Sequence, residues 1–202
     1  MSGYSVGHPN QKVDRRLKTG PGLRSARLNS VSITLFLGGT RSGKSEAAEA
    51  MAGAESARLE ARVTYVAGAG PGLSGDRDWE RRVETHRLRR PADWDTLEAP
   101  LDLAGVLAGP ALGGRVVLVD SLGTWLARRP DFSWDPDLLT ALAGRAMPTL
   151  IVSEEVGMGV HPSSESGRAF RDALGGLNRQ VADAAQTVFL VVAGRTLALG
   201  RP

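Results

Sequence analysis

The chain has 202 residues, 42% apolar and only 5% aromatic, with a formal net charge of +3 and a pI near 9.8, which suits one α/β domain with an aliphatic core. It has no cysteine, so disulfides, thiolate metal sites and a thiol nucleophile are excluded. No apolar run is long enough to span a bilayer and the amino terminus lacks the apolar stretch of a secretory signal, so the expected location is cytoplasmic.

Residues 1–30 hold six basic groups, Lys12, Arg15, Arg16, Lys18, Arg24 and Arg27, against Asp14 alone. The rest of the chain carries 19 basic groups against 21 acidic ones. The basicity therefore sits in a Gly-, Ser-, Pro- and Arg-rich stretch without periodicity, which reads as a disordered tail or an over-extended translation start before a domain at 31–202. A domain that is slightly acidic overall is not expected to bind nucleic acid; a basic arm that does so is the alternative.

From Ile33 to Ala50 the sequence ITLFLGGTRSGKSEAAEA gives an apolar strand, a glycine-rich turn and a helix opening at Lys44. Gly38, Gly39, Thr40, Arg41, Ser42, Gly43, Lys44 and Ser45 satisfy the spacing of a phosphate-binding loop, in which backbone N–H groups converge on an anion at a helix amino terminus. Lys44 is expected to reach the β- and γ-phosphates, and the Ser45 hydroxyl to take a place on Mg²⁺. The chain has three lysines against 22 arginines, and Lys44 is the only lysine from Leu28 onward, which points to a need for a compact ammonium there.

The helix continues to Leu59, a second strand runs from Arg62 to Ala67, and Gly68 to Gly75 reads as a flexible loop. Asp78 to Arg90, DWERRVETHRLRR, reads as a helix ended by Pro91, with six arginines from Arg77 to Arg90. A solvated surface helix accounts for it; alternatively Arg82 and His86, four apart on one face, form an anion site. Neighbouring arginines disfavour the imidazolium and leave a neutral ring nitrogen able to attack phosphorus.

Trp94 to Glu98 is read as a short strand, Leu101 to Leu107 as a short helix, and Arg115 to Asp120 as a buried strand. Its terminal Asp120 either meets Mg²⁺ or caps the helix that follows. A helix is expected from Trp134 to Arg145 and a strand from Thr149 to Ser153. The passage EEVGMGVHP, residues 154–162, then puts two carboxylates beside the site. Phe170 to Ala185 reads as a helix interrupted at Gly175-Gly176, and Thr187 to Ala193 as a last buried strand.

Four blocks in this order carry a family resemblance: GGTRSGKS at 38–45, HRLRRPADWDTLE at 86–98, LVDSLGTWL at 118–126 and SEEVGMGVHP at 153–162. From about Ile33 to Leu199 the chain resembles the bifunctional adenosylcobinamide kinase/adenosylcobinamide-phosphate guanylyltransferases. The resemblance implies an α/β P-loop NTPase fold of RecA-like type, with a mostly parallel sheet flanked by helices, and two reactions. First, ATP or GTP phosphorylates the aminopropanol hydroxyl of adenosylcobinamide; second, GMP passes from GTP through a guanylylated histidine to give adenosylcobinamide-GDP.

His86 matches that histidine, and Lys44, Ser45 and Asp120 match the phosphate and Mg²⁺ site. Arg82 matches an arginine of the histidine-bearing helix, and Glu98 falls in the histidine block as a nucleotide-binding position. A homotrimer is also implied. The chain departs from the family at Glu154, where Asn is usual, and at His161, where an aliphatic residue is usual; a surface histidine and a second base are both open for His161. The alternative functions are a small-molecule kinase without guanylyl transfer and a nucleotide-binding regulatory module.

Overall fold

In a computed structural model of the chain, residues 32–68, 84 and 89–201 are described. The expected tail at 1–30, the glycine loop from 69 onward, and Arg82 and His86 lie outside them. Glu84 and Arg89, within the expected Asp78–Arg90 helix, have helical backbone.

Seven strands form one sheet in the order β3-β2-β4-β5-β1-β6-β7. They are β1 (Ile33–Gly38), β2 (Val63–Ala67), β3 (Asp95–Glu98), β4 (Val116–Asp120), β5 (Thr149–Glu154), β6 (Thr187–Val192) and β7 (Arg195–Leu199). All neighbours are parallel except β6 and β7, which form an antiparallel hairpin. The helices are α1 (Lys44–Leu59), α2 (Leu103–Ala108), α3 (Leu122–Leu126), α4 (Asp137–Ala143) and α5 (Glu165–Ala184), with a 3-10 turn at Pro110–Leu112. With β5 inserted between the loop-bearing β1 and the β4 strand that ends in Asp120, this is a P-loop, RecA-like α/β fold.

Alternation along the parallel strands divides two cores. Phe36, Tyr65, Leu118, Leu150 and Val152 face α1, whose Ala48 and Ala52 are fully buried and let the helix lie close to the sheet. Leu35, Val66, Val117, Val119 and Ile151 face the opposite layer, where Leu103, Leu107, Trp125, Leu126, Leu138, Leu174 and Leu177 complete the larger core. At the β3 edge, Asp95 pairs with Arg115 and with Arg62 at 3.2 Å, placing charge on a strand side that would otherwise invite pairing.

Three helix and strand expectations change. The helix expected from Trp134 starts at Asp137, because Asp135-Pro136 form its entry turn. The last helix begins at Glu165, where the Ser164 hydroxyl caps the Gly167 amide at 3.1 Å, and runs unbroken through Gly175-Gly176. Burial of Leu174, Leu177 and Val181 against the sheet outweighs the roughly 2 kcal/mol by which two interior glycines weaken a helix. Finally, β6 is not the last strand: Ala193 and Gly194, at φ 50° and 71°, turn the chain back into β7, whose five residues are all exposed.

Arg145 is only 5% exposed and donates to Thr149 Oγ1 (2.7 Å) and to the carbonyls of Leu107 (3.2 Å), Leu112 (3.1 Å) and Arg115 (2.8 Å). Burial pushes its pKa down. Truncation orphans these acceptors, so Arg145→Ala is expected to cost about 3 kcal/mol in urea denaturation; a loss below about 1 kcal/mol contradicts the role assigned to it.

Candidate functional site

The loop from Gly38 to Ser45 leaves β1 at its carboxyl end. A Cβ on Gly38 would lie 2.5 Å from both Ser42 Oγ and the Val191 carbonyl, so only glycine fits this crossing. The Ser42 amide closes a turn on the Gly39 carbonyl at 3.3 Å, and Gly43, at φ 93°, swings the chain into α1. No side chain caps that helix, so its first amides and the positive end of its dipole face the loop. Gly39, Thr40 and Arg41 are exposed at the rim. The β6–β7 turn braces the loop from behind: Gly194 N–H donates to the Ser42 carbonyl at 2.7 Å.

Lys44 Nζ donates to the Gly39 carbonyl at 3.4 Å and lies 3.8 Å from Glu154 Oε1. Glu154 ends β5, between β1 and β4, and both its oxygens accept from Ser121 Oγ, at 2.8 and 3.0 Å. Burial raises its pKa, Lys44 and the Ser121 hydrogen bond oppose this, and Asp120 adds a further push upward.

Asp120 stands at the end of β4, and Tyr65 Oη donates to its Oδ2 at 2.8 Å. Burial and then Asp120 hold the Tyr65 hydroxyl far above the usual phenol range, so it remains a donor. The helix cap at this point is Ser121, whose hydroxyl accepts from the Thr124 amide at 3.2 Å; Asp120 does not make it. Ser45 is buried at the start of α1. Ser45 and Asp120 each carry an oxygen of the kind a hard cation takes; among the described residues no group of three His, Cys, Asp or Glu side chains gathers as a metal cluster.

The segment just after His86 reaches this site from two directions. Arg89 pairs with Glu46 (2.5 Å) and Glu49 (2.7 Å) on the first turns of α1. The Arg90 guanidinium lies 3.5 Å from the centre of the Tyr65 ring, and its Nη1 donates to Thr96 Oγ1 at 3.1 Å. Glu98 is exposed at the end of edge strand β3. Four strand spacings separate β3 from β1, roughly 19 Å, so Glu98 stands apart from the phosphate loop.

Among the other acids and histidines, Glu155 accepts from the Gly157 and Met158 amides, both at 2.9 Å. His161 is exposed, its Nδ1 2.7 Å from Arg171 Nη1. Sequence reasoning missed Tyr65 and Ser121 and left Glu154 without a role. Tyr65 sits in an ordinary apolar strand with nothing local to mark it, whereas a carboxylate at the end of a buried strand was a usable signal for Glu154.

Because the folded state raises the Glu154 pKa, it retains a proton that the unfolded chain loses. Its contribution is therefore fully present below the ordinary Glu pKa, near 4.5, and is lost as pH rises through the higher folded value. Glu154→Gln lacks this titration. Its stability relative to the parent, measured by denaturation at pH 4 and pH 8, is expected to be more favourable at pH 8; a difference independent of pH contradicts the assignment.

The family model for cobinamide kinase / cobinamide phosphate guanyltransferase (CobU) matches residues 34–199. The bifunctional adenosylcobalamin biosynthesis protein CobP of Pseudomonas aeruginosa is 41% identical over 179 residues, covering 83% of this chain and 98% of that protein. The corresponding CobU of Escherichia coli is 33% identical over 183 residues, covering 80% and 96%. Among solved structures, the flagellar accessory protein FlaH of Methanocaldococcus jannaschii is 13% identical with a TM-score of 0.47, covering 83% of this chain and 76% of its own. The fold rests on the strand order. Among the described residues no helix is long and apolar enough to cross a membrane. With the match spanning the whole domain, the chain belongs to the cobinamide kinase / cobinamide phosphate guanyltransferase family of cobalamin biosynthesis.

Proposed function

We propose that the chain phosphorylates adenosylcobinamide with ATP or GTP and then transfers GMP from GTP, through a guanylylated His86, to give adenosylcobinamide-GDP. The loop from Gly38 to Ser45 holds the triphosphate through backbone amides, and Lys44 exchanges its contacts with Gly39 and Glu154 for phosphate oxygens. Ser45 and Asp120 would hold Mg²⁺, which would supply charge for the phosphates; Tyr65 fixes the Asp120 carboxylate by its hydrogen bond. Arg82 binds nucleotide, and Glu98, across the sheet from the phosphate loop, serves the end of a nucleotide remote from the phosphates in that loop.

In the kinase step the acceptor hydroxyl oxygen bonds to the γ-phosphorus and its proton passes to solvent, while the bridge to the β-phosphate breaks and the nucleoside diphosphate leaves. In the second step a neutral imidazole nitrogen of His86 attacks the α-phosphorus of GTP and pyrophosphate departs. A phosphate oxygen of the phosphorylated acceptor then displaces the histidine, breaking the P–N bond and restoring the ring. The intermediate conserves transfer potential between the two displacements.

The observation that carries this is the anchoring of Arg89 and Arg90 on α1 and on Tyr65, next to Asp120. Residue 86 lies three residues before Arg89, a span of at most roughly 11 Å between their Cα atoms.

Incubation with GTP labelled at the α-phosphate is expected to leave acid-labile, alkali-stable label on the protein, and His86→Ala to abolish it. Lys44→Ala is expected to lower phosphate transfer from γ-labelled ATP to cobinamide on the order of 10²- to 10³-fold. Absence of label on the parent protein refutes the guanylyl step. Absence of phosphate transfer by the parent refutes the kinase step.

A further inference from the structure

An open cleft of about 390 Å³ on the α5 side of the sheet takes no part in the chemistry above. Leu37 and Val156 form its apolar floor, and Glu155, Arg171, Asp172 and Gly175 stand around it. Leu37 immediately precedes Gly38, whose carbonyl accepts from the Glu155 amide at 3.1 Å, so cleft and phosphate loop share a wall.

The two helical glycines differ in what surrounds them. A Cβ on Gly176 would lie 3.5 Å from the Trp134 ring, whereas one on Gly175 would meet nothing within 4 Å. No neighbour in the chain demands glycine at 175, and glycine is the weakest helix former after proline. What the bare position provides is the volume of the cleft.

The wall is polar and hydrogen-bonded. Arg171 donates through Nε and Nη2 to Asp172 Oδ1, at 3.0 and 2.9 Å, with Nη1 against His161. Glu155 ties down the loop leaving β5, which carries Met158 and Val160 outward at 71% and 96% exposure. Large apolar side chains bare on a loop that lines the cleft through Gly157, together with the polar groups around it, mark a ligand surface.

We propose that this cleft is the acceptor subsite, taking a carboxamide-bearing edge of the corrinoid while Met158 and Val160 lie against the macrocycle's apolar rim, so that the hydroxyl arm reaches the phosphate loop. The inference rests on the function proposed above and adds where the acceptor binds. Carboxamides offer N–H groups to Asp172 and carbonyl oxygens to Arg171, matching both members of the wall. The polyanionic nucleotide does not fit there, since Glu155 and Asp172 repel it. The cleft is smaller than a corrin ring, so only an edge enters.

Gly175→Leu fills the cleft from a position with open space, and Gly175→Ala adds one methyl. With the full chain, cobinamide as acceptor and γ-labelled ATP as donor, the Leu variant is expected to raise the KM for cobinamide roughly tenfold or more. The Ala variant is expected to change it less than about threefold, and both to keep ATP affinity within about twofold. If Gly175→Leu does not fold, Met158→Asp carries the same expectation and the same refutation. An unchanged cobinamide KM in a folded Leu or Met158→Asp variant overturns the subsite while leaving the kinase standing. A parent protein that transfers no phosphate to cobinamide overturns the function and the subsite together.

Discussion

One ammonium has to be held where the parallel strands β1, β5 and β4 end side by side. The turn at Gly43 aims both the α1 amino terminus and Lys44 at that point, which concentrates positive potential there. The protein meets it with the Gly39 carbonyl and a Glu154 carboxylate whose two oxygens share the Ser121 hydroxyl proton. These are acceptors of the same kind as a phosphate oxygen, so an arriving triphosphate competes for contacts that already exist. Strand order produces the arrangement: because β5 lies between β1 and β4, Glu154 stands between the loop and Asp120 and is influenced by both Lys44 and Asp120.

Two arginines join this point to the stretch of chain containing His86. Arg89 engages the acids that follow Lys44 on α1, and Arg90 lies on Tyr65, whose hydroxyl bonds Asp120. The partly exposed ion pairs alone are worth little in stability. Their consequence is positional: they tether a segment to α1 and to the Tyr65–Asp120 pair. On the other face, the cleft beside α5 approaches the same loop through Leu37 and Glu155. The proposed two-step chemistry thus has nucleotide, histidine segment and acceptor converging on one end of the sheet.

Much of this fold was legible because its signals are local. A glycine-rich turn between an apolar strand and a helix, and an Asp closing a run of aliphatic residues, locate β1, α1 and β4 without tertiary information. The errors arose where tertiary packing overrides propensity. Gly175-Gly176 reads as a break, yet Leu174, Leu177 and Val181 are held against the sheet and the helix continues. Exposed β7 has little burial pattern to read, and its strand character comes from pairing with β6. Within the site, the phosphate loop is contiguous in sequence and could be found there. The Tyr65–Asp120 and Lys44–Glu154 contacts join residues 55 and 110 positions apart and needed coordinates.

The most direct test of convergence on one site is the rate at which GMP accumulates on His86, followed by mass spectrometry after mixing with GTP, in the parent and in Arg89→Met. Loss of the tether is expected to slow this rate about 10- to 100-fold, because small misplacements of a nucleophile are costly, while ATP affinity stays near that of the parent. An unchanged rate would show that the Arg89 anchor does not position the histidine, and would contradict the coupling of the two elements.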